Sequence, residues 1–328
     1  MENITIIGSG SWGVALGVYL ANLGYNIKMW SFAEDENDEI NNKKICRFLP
    51  GIKIPDNIKC TTDFKTALEG SKLILHVTPS KFVRNTIKGY KDFVKDDQIV
   101  VMCSKGFEPI TEKTLDEVVK EEIPNVKLGI LSGPSHAEEV SKNIPTAMVI
   151  ASEHEDVKKY VSNVFKSENM RIYTSDDVKG VELGGALKNI IAFCAGVSVG
   201  LDLGDNTFAA LATRGLVEIE RLGTAMGAKS KTFYGLTGLG DLLVTCGSQH
   251  SRNRRAGEMI GKGFSIDDAR KEIGMTIESV DNIDVAYSLS KKYEVEMPIV
   301  ESVYNVLYNG LNPKEAVVKL MTRDLKAE

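Results

Sequence analysis

Cysteine is scarce in this chain of 328 residues, and its spacing builds nothing. Cys46, Cys60, Cys103, Cys194 and Cys246 are scattered, odd in number and free of any C-x-x-C pair. That excludes a disulfide framework or a zinc ribbon and points to reduced thiols, as in a cytosol. Clusters of His, Cys and Asp with metal-ligand spacing are missing too, so no metal site is expected. Basic charge is not in excess: the net charge is -5, which argues against a nucleic-acid partner. The apolar run Ile190–Leu201 falls short of the ~20 residues that span a bilayer, so membrane insertion is not expected. The N-terminus lacks a basic segment followed by an apolar one, so no secretion signal is expected. Low-complexity segments and short repeats are absent.

What is present is a chain with 43% hydrophobic residues, enough to fill real cores. At roughly 150 residues per domain, it has the length of two domains. Ile4–Ile7 is a short apolar strand that runs into Gly8-Ser9-Gly10-Ser11-Trp12-Gly13, a G-x-G-x-x-G. Val14–Leu23 continues with helical periodicity and Gly24 ends it. Strand, glycine loop and helix together predict a dinucleotide site. The loop offers a tight turn, a bare backbone beside a pyrophosphate, and a helix N-terminus with N–H groups free for the anion. Trp12 falls on the cofactor side of this loop or is simply an exposed aromatic. Ile27–Ser31 is the second strand. Such a strand usually ends in an acidic residue for the ribose 2′-hydroxyl of NAD, or has a basic group nearby for the 2′-phosphate of NADP. Here Ser31 and Phe32 occupy the tip, with Glu34 and Asp35 just beyond, and neither signal is clear.

Leu73–Val77 and Ile99–Cys103 are continuous apolar runs, as buried parallel strands should be. Lys127–Leu131 and Ala147–Ala151 give later strands, and Phe64–Leu68, Lys81–Val94 and Thr111–Glu122 can be crossover helices. Ligands of such sheets bind at the carboxyl ends of the strands. This places His76, Pro79, Lys105 and the loop Gly133-Pro134-Ser135-His136-Ala137 around one crevice. Ser135 reads as the N-cap of a helix through Ala137–Val140, presenting N–H groups to an anion. His76 and His136 lack an obvious triad partner and read as structural histidines.

After Tyr173 the alternation stops and the chain reads as helices. The fold class expected is α/β: a Rossmann-like doubly wound parallel sheet over residues 1–178, then an all-helical domain over 179–328. The helix Val181–Leu201 opens the second part, with Leu183, Leu187, Ile190, Ile191 and Cys194 at helical spacing. Glycine costs roughly 1 kcal/mol in a helix interior relative to Ala, so Gly184, Gly185, Gly196 and Gly200 imply a packing or ligand reason. Gly184 and Gly185 are read as leaving the approach to Lys188 open, and Gly196 and Gly200 as allowing close helix packing. Lys188 is an ammonium on an otherwise apolar element. It is either a lysine snorkelling at the helix edge or a positioned acid or base. Gly235-Leu236-Thr237-Gly238-Leu239-Gly240-Asp241 is an irregular glycine turn. Its Asp241 is either a helix cap or a carboxylate close to Lys188 or bonding substrate hydroxyls. Ser251-Arg252-Asn253 opens a helix. Such a basic cluster is often a solvated face, but an N-cap Ser with Arg and Asn also makes a small phosphate site.

Seven stretches together carry a resemblance. They are G-S-G-S-W-G, L-P-G at Leu49–Gly51, S-K-G-F at Ser104–Phe107, G-P-S-H-A-E-E-V at Gly133–Val140, G-G-A-L-K-N at Gly184–Asn189, G-L-G-D-L at Gly238–Leu242 and S-R-N at Ser251–Asn253. In order and over nearly the full length, the chain resembles the NAD(P)-dependent sn-glycerol-3-phosphate dehydrogenases of the bacterial type. The resemblance implies a reversible hydride transfer between NAD(P)H and dihydroxyacetone phosphate, with Lys188 as proton donor and acceptor. It implies substrate contacts at Lys105, Gly133, Ser135, Lys188, Asp241, Ser251, Arg252 and Asn253. Cofactor contacts are implied at Gly8, Gly10, Ser11, Trp12, Gly13, Phe32, Phe48, Lys105, Ala137, Arg252 and Glu278. The position of Phe32 is often basic in the family; Phe departs from that. The resemblance also implies a cytoplasmic enzyme supplying glycerol 3-phosphate for phospholipid synthesis, with a homodimer left open. Two other readings remain. One is a lysine-dependent hydroxy-acid or sugar-acid dehydrogenase, against which S-R-N and G-L-G-D argue. The other is a non-catalytic dinucleotide-sensing protein, which has no need of Lys188 and Asp241.

Overall fold

The computed structural model describes residues 2–324. It divides the chain into two compact units, Met1–Glu182 and Leu183–Glu328. The first is built on one sheet whose strands are β1 (Asn3–Ile7), β2 (Asn26–Trp30), β3 (Ile58–Thr61), β4 (Ser71–His76), β5 (Ile99–Met102), β6 (Lys127–Ser132), β7 (Thr146–Ala151) and β8 (Met170–Ser175). Their order across the sheet is β3-β2-β1-β4-β5-β6-β7-β8. The first six form a Rossmann-like parallel set. The central strands are buried on both faces, every residue of β5 included, which is why they read as unbroken apolar runs.

The sheet is not parallel throughout. β7 returns antiparallel to β6, with Leu131 opposite Ile150, and β8 then pairs parallel to β7. The connection from Gly133 to Pro145 holds one short helix, Ala137–Val140. A parallel return usually carries a full crossover helix; this link holds a single helical turn and turns back instead. Two strands go beyond the expected set. β3 is short, and β8 carries exposed polar residues, so neither presents the apolar run by which the others were recognised.

From Leu183 to Asp324 the described residues contain helices and connections and no strand. Helix ends follow local rules. Pro298 and Pro313 stand at first helical positions, Ser265 and Asp268 form a capping box, and Gly274 closes its helix at φ 62°. The helix Val178–Gly200 is long and apolar enough to cross a membrane by composition, but 83% of its most apolar window is buried inside the protein, as in a core helix.

The glycines of that helix have a packing reason. A Cβ on Gly196 would lie 1.9 Å from the Arg254 carbonyl oxygen, and one on Gly200 would lie 2.3 Å from that of Glu258. The facing helix, Arg252–Gly261, returns the arrangement: a Cβ on Gly257 would meet the Phe193 oxygen at 1.9 Å. The two backbones therefore touch directly. Gly184 differs from the sequence reading. Its Cβ would lie 2.6 Å from the Thr237 oxygen, so this glycine seats the helix on the glycine turn instead of opening a path to Lys188. Because backbone carbonyls cannot rotate aside, Gly257→Ala should destabilise the protein by about 1–3 kcal/mol, the scale of core overpacking. Urea unfolding checks this; an unchanged midpoint would show that the helices separate freely.

Candidate active site

The helix Val178–Gly200 carries Lys188 to a position where the residue is 5% exposed. Its Nζ bonds the Oδ1 of Asp241, which is 1% exposed, and the Oγ1 of Thr245 at 2.6 Å. A snorkelling lysine would have its head in water; this one is inside and ion-paired. The glycine turn explains how Asp241 arrives there. Gly240 N–H donates to the Gly235 carbonyl across a π-helical turn, Leu236–Gly240, a wide-turn geometry frequent at functional sites. The helix Asp241–Gly247 starts at once, with Gly240 as N-cap and no side-chain cap. Asp241 thus spends its carboxylate on Lys188. Thr245, one turn later, donates to the Asp241 carbonyl at 2.6 Å while accepting from Lys188. Sequence reasoning did not single out Thr245; the i, i+4 spacing from Asp241 was the available signal. Cys246, next in the chain, is buried and its thiol is pushed up to about 12 by desolvation, so it stays protonated beside the pair.

The S-R-N segment is ordered by its own hydrogen bonds. Ser251 caps the helix Arg252–Gly261 by accepting from the Arg254 N–H at 3.2 Å. Arg252 Nη1 donates to the Thr276 carbonyl at 3.0 Å. Asn253 donates to Asn189 Oδ1 at 2.9 Å and accepts from the Ser279 N–H at 3.0 Å. This ties the residue after Lys188 to the start of the helix Glu278–Lys292. Asn189 is a second residue the sequence reading passed over, although it adjoins Lys188. Glu278 opens its helix and accepts from Asn282 at 2.9 Å. So within the second unit Lys188, Asp241 and Thr245 form one buried cluster, and Asn189, Asn253 and Ser279 form a hydrogen-bonded chain beside it.

In the first unit the glycine loop has the expected form. Gly8 takes φ 122°, which favours glycine, and a Cβ on Gly13 would strike the Gly8 carbonyl oxygen at 2.1 Å. The third glycine therefore lets the helix Ser11–Asn22 press against the loop. Around Gly10, the N-cap, a Cβ would find nothing within 4 Å; the space before the helix N-terminus is open. Trp12 is half-buried, and its Nε1 is a buried donor without a hydrogen-bond partner among the described residues. Ser11 is half-buried at the first helical position, and Phe48 packs half-buried against the core. An open helix N-terminus and an orphaned indole N–H fit a bound dinucleotide.

At the ends of β5 and β6, Lys105 Nζ donates to the Gly133 carbonyl at 3.1 Å, and Ser135 Oγ donates to the same oxygen at 2.9 Å. These three expected residues do come together. Ser135 is not the N-cap, however. His136 occupies that place before Ala137–Val140, a single turn too short to build an anion-binding dipole. Ala137 is its first residue and is buried. His76 is fully buried, with Tyr90 Oη at 3.0 Å from Nδ1 and Thr78 Oγ1 at 2.7 Å from Nε2. Burial pulls its pKa down to about 3, so it is a neutral, structural histidine.

At the tip of β2 the Phe32 side chain is exposed. The nearby cations are engaged elsewhere: Lys43 with Asp38 at 2.7 Å, Lys44 with Asp56 at 3.3 Å, and Arg47 with both Asp35 and Glu39.

Two predictions follow from these geometries. A buried ion pair that loses one partner leaves an uncompensated charge and costs about 3–5 kcal/mol. Lys188→Met should therefore destabilise the fold on that scale, and adding Asp241→Asn should restore part of the loss. A double-mutant cycle in urea measures this, and additive costs would mean that the two side chains do not interact. His76 is neutral in the fold but takes a proton near pH 6.5 when unfolded. The unfolded state then binds more protons, so stability should fall as pH drops from 6.5, by at most about 1.4 kcal/mol per pH unit from this group. His76→Gln should flatten that limb of the stability–pH curve; an unchanged slope would show that His76 protonates in place.

Comparison with known proteins agrees along the whole chain. The family model described as NAD-dependent glycerol-3-phosphate dehydrogenase N-terminus matches residues 3–158, and that for the C-terminus matches residues 177–318. The chain is 47% identical over 331 residues to the glycerol-3-phosphate dehydrogenase [NAD(P)+] of Fusobacterium nucleatum subsp. nucleatum, covering 100% of this chain and 99% of that one. It is 47% identical to the enzyme of the same description from Clostridium tetani, over 100% and 94%. Among solved structures, glycerol-3-phosphate dehydrogenase from Coxiella burnetii superposes with a TM-score of 0.95 at 39% identity, over 98% of this chain and 99% of that one. The chain belongs to the NAD-dependent glycerol-3-phosphate dehydrogenase family.

Proposed function

We propose that this protein interconverts dihydroxyacetone phosphate and sn-glycerol 3-phosphate with NAD(H) or NADP(H), and that Lys188 is its acid and base. The observation that carries the residue assignment is a buried lysine held by Asp241 and Thr245. Residues 1–178 form the dinucleotide-binding domain, and residues 179–328 the helical domain that carries most of the substrate contacts and the proton-transfer residue. Ser11, Trp12 and the N–H groups beyond Gly10 bind the dinucleotide, with Phe48, Ala137 and Glu278 as further contacts. Lys105, Gly133 and Ser135 form a polar group that orients substrate. Ser251, Arg252 and Asn253 hold the phosphate, whose binding energy positions a very small molecule.

A bound nicotinamide supplies or accepts the hydride. The chain's own task is to manage the charge that appears on the carbonyl oxygen. The Lys188 ammonium stabilises that oxygen and delivers its proton, and in the reverse direction neutral Lys188 takes the hydroxyl proton. Asp241 holds the ammonium in place. Thr245 fixes the rotamer of both. The product serves phospholipid synthesis, and the proposed compartment is the cytoplasm.

With dihydroxyacetone phosphate and reduced cofactor, Lys188→Met should lose ~10²–10⁴-fold in turnover, while cofactor binding persists under conditions where the variant is folded. Near-normal turnover would overturn the assignment. Arg252→Ala should raise KM for dihydroxyacetone phosphate through a loss of about 1.5–3 kcal/mol, and sulfate should compete with substrate in the parent. An unchanged KM would make the basic cluster a solvated face.

A further inference from the structure

The tip of β2 lacks the acidic residue that usually meets the ribose 2′-hydroxyl: Ser31 and Phe32 stand there. A carboxylate is nevertheless present in space. Glu36, in the short helix Glu34–Asp38, folds back so that its Oε2 accepts from Ser31 Oγ at 2.8 Å and from Ser9 Oγ. Ser31 is fully buried at the end of β2, and Ser9 is the residue between the first two glycines of the loop. One carboxylate oxygen therefore bridges the two elements that, in this fold, flank the adenosine ribose. The ST turn at Ser31, whose Oγ accepts from the Ala33 N–H at 3.1 Å, sets the chain direction that brings Glu36 back.

We infer that Glu36 is the residue by which this enzyme selects NAD(H) over NADP(H), accepting the ribose 2′-hydroxyl and opposing a 2′-phosphate. This rests on reading the glycine loop as the dinucleotide site. A carboxylate accepts about four hydrogen bonds, and the two serines use part of that capacity, so a ribose hydroxyl can be added. A phosphate dianion at the same place would meet the Glu36 charge, and the cations that follow β2 are already engaged by other carboxylates. Arg47 is held between Asp35 and Glu39, Lys43 is paired to Asp38, and Phe32 offers an exposed ring. The sequence reading stopped at Ser31, Glu34 and Asp35; the fold-back of the next residue supplies what it lacked.

The test is equilibrium binding of NADH and NADPH to the full chain without substrate, followed by nicotinamide fluorescence at one ionic strength. Competition by 5′-ADP and 2′,5′-ADP localises any difference to the adenosine ribose. The parent should bind NADH at least roughly tenfold more tightly than NADPH, and Glu36→Gln should narrow that ratio by roughly tenfold or more, mainly by tighter NADPH binding. The two adenosine diphosphates should follow the same shift. Glu36→Ser, which removes both charge and bulk, should shift the ratio in the same direction. An unchanged ratio in both variants, or an equal loss of both cofactors as from a merely structural contact, would overturn the proposal. A parent that prefers NADPH would overturn it too. If neither cofactor binds the parent, the dinucleotide reading fails first and this inference with it.

Discussion

The buried pair of Lys188 and Asp241 is the constraint around which the second unit is arranged. Two charges inside a protein are tolerable only if each has the other and further hydrogen bonds. That requirement explains a run of otherwise costly choices. The helix Val178–Gly200 must present lysine at a fixed height, so it is locked by glycines against the backbone of Arg252–Gly261. Asp241 must reach the lysine from a neighbouring element, so the chain approaches through a π-helical turn rich in glycine, with Gly184 allowing the contact with Thr237. Thr245 then ties the aspartate's helix to the same ammonium.

The first unit solves a different problem. Its central strands bury an apolar core and deliver their carboxyl ends with the glycine loop, Lys105 and Gly133 in fixed places. Conformations restricted to glycine mark these turns: φ 122° at Gly8 and 135° at Gly133. His76, the last residue of β4, is used for structure, held neutral between Tyr90 and Thr78. The proton chemistry is proposed for the lysine.

Much of this was legible in the sequence because it is written locally. The glycine loop follows a strand and opens a helix, central strands are unbroken apolar runs, and a lysine on an apolar helix is conspicuous. What was not legible depends on partners distant in the chain. β8 is an edge strand with one exposed face, carrying Arg171 and Tyr173, and the reversal at β7 goes with a connection that holds no full crossover helix. Whether Asp241 caps its helix or pairs with Lys188 is decided by tertiary packing. Thr245 and Asn189 look ordinary until their neighbours are in place. The reading of Ser135 as a cap failed because the chain turns one residue later, at His136. Glu36 is hidden for a related reason: it stands beyond the strand tip in sequence and returns to it in space.

The central claim is that an ammonium at position 188 performs the proton transfer. Chemical rescue tests it most directly. In Lys188→Ala, small primary alkylamines added to the assay with dihydroxyacetone phosphate and reduced cofactor should restore turnover in proportion to their concentration and in step with their basicity. Tertiary amines too bulky for the vacated space should not. Turnover that starts near the parent value, or that stays lost at every amine concentration in a folded variant that binds cofactor, would contradict the account.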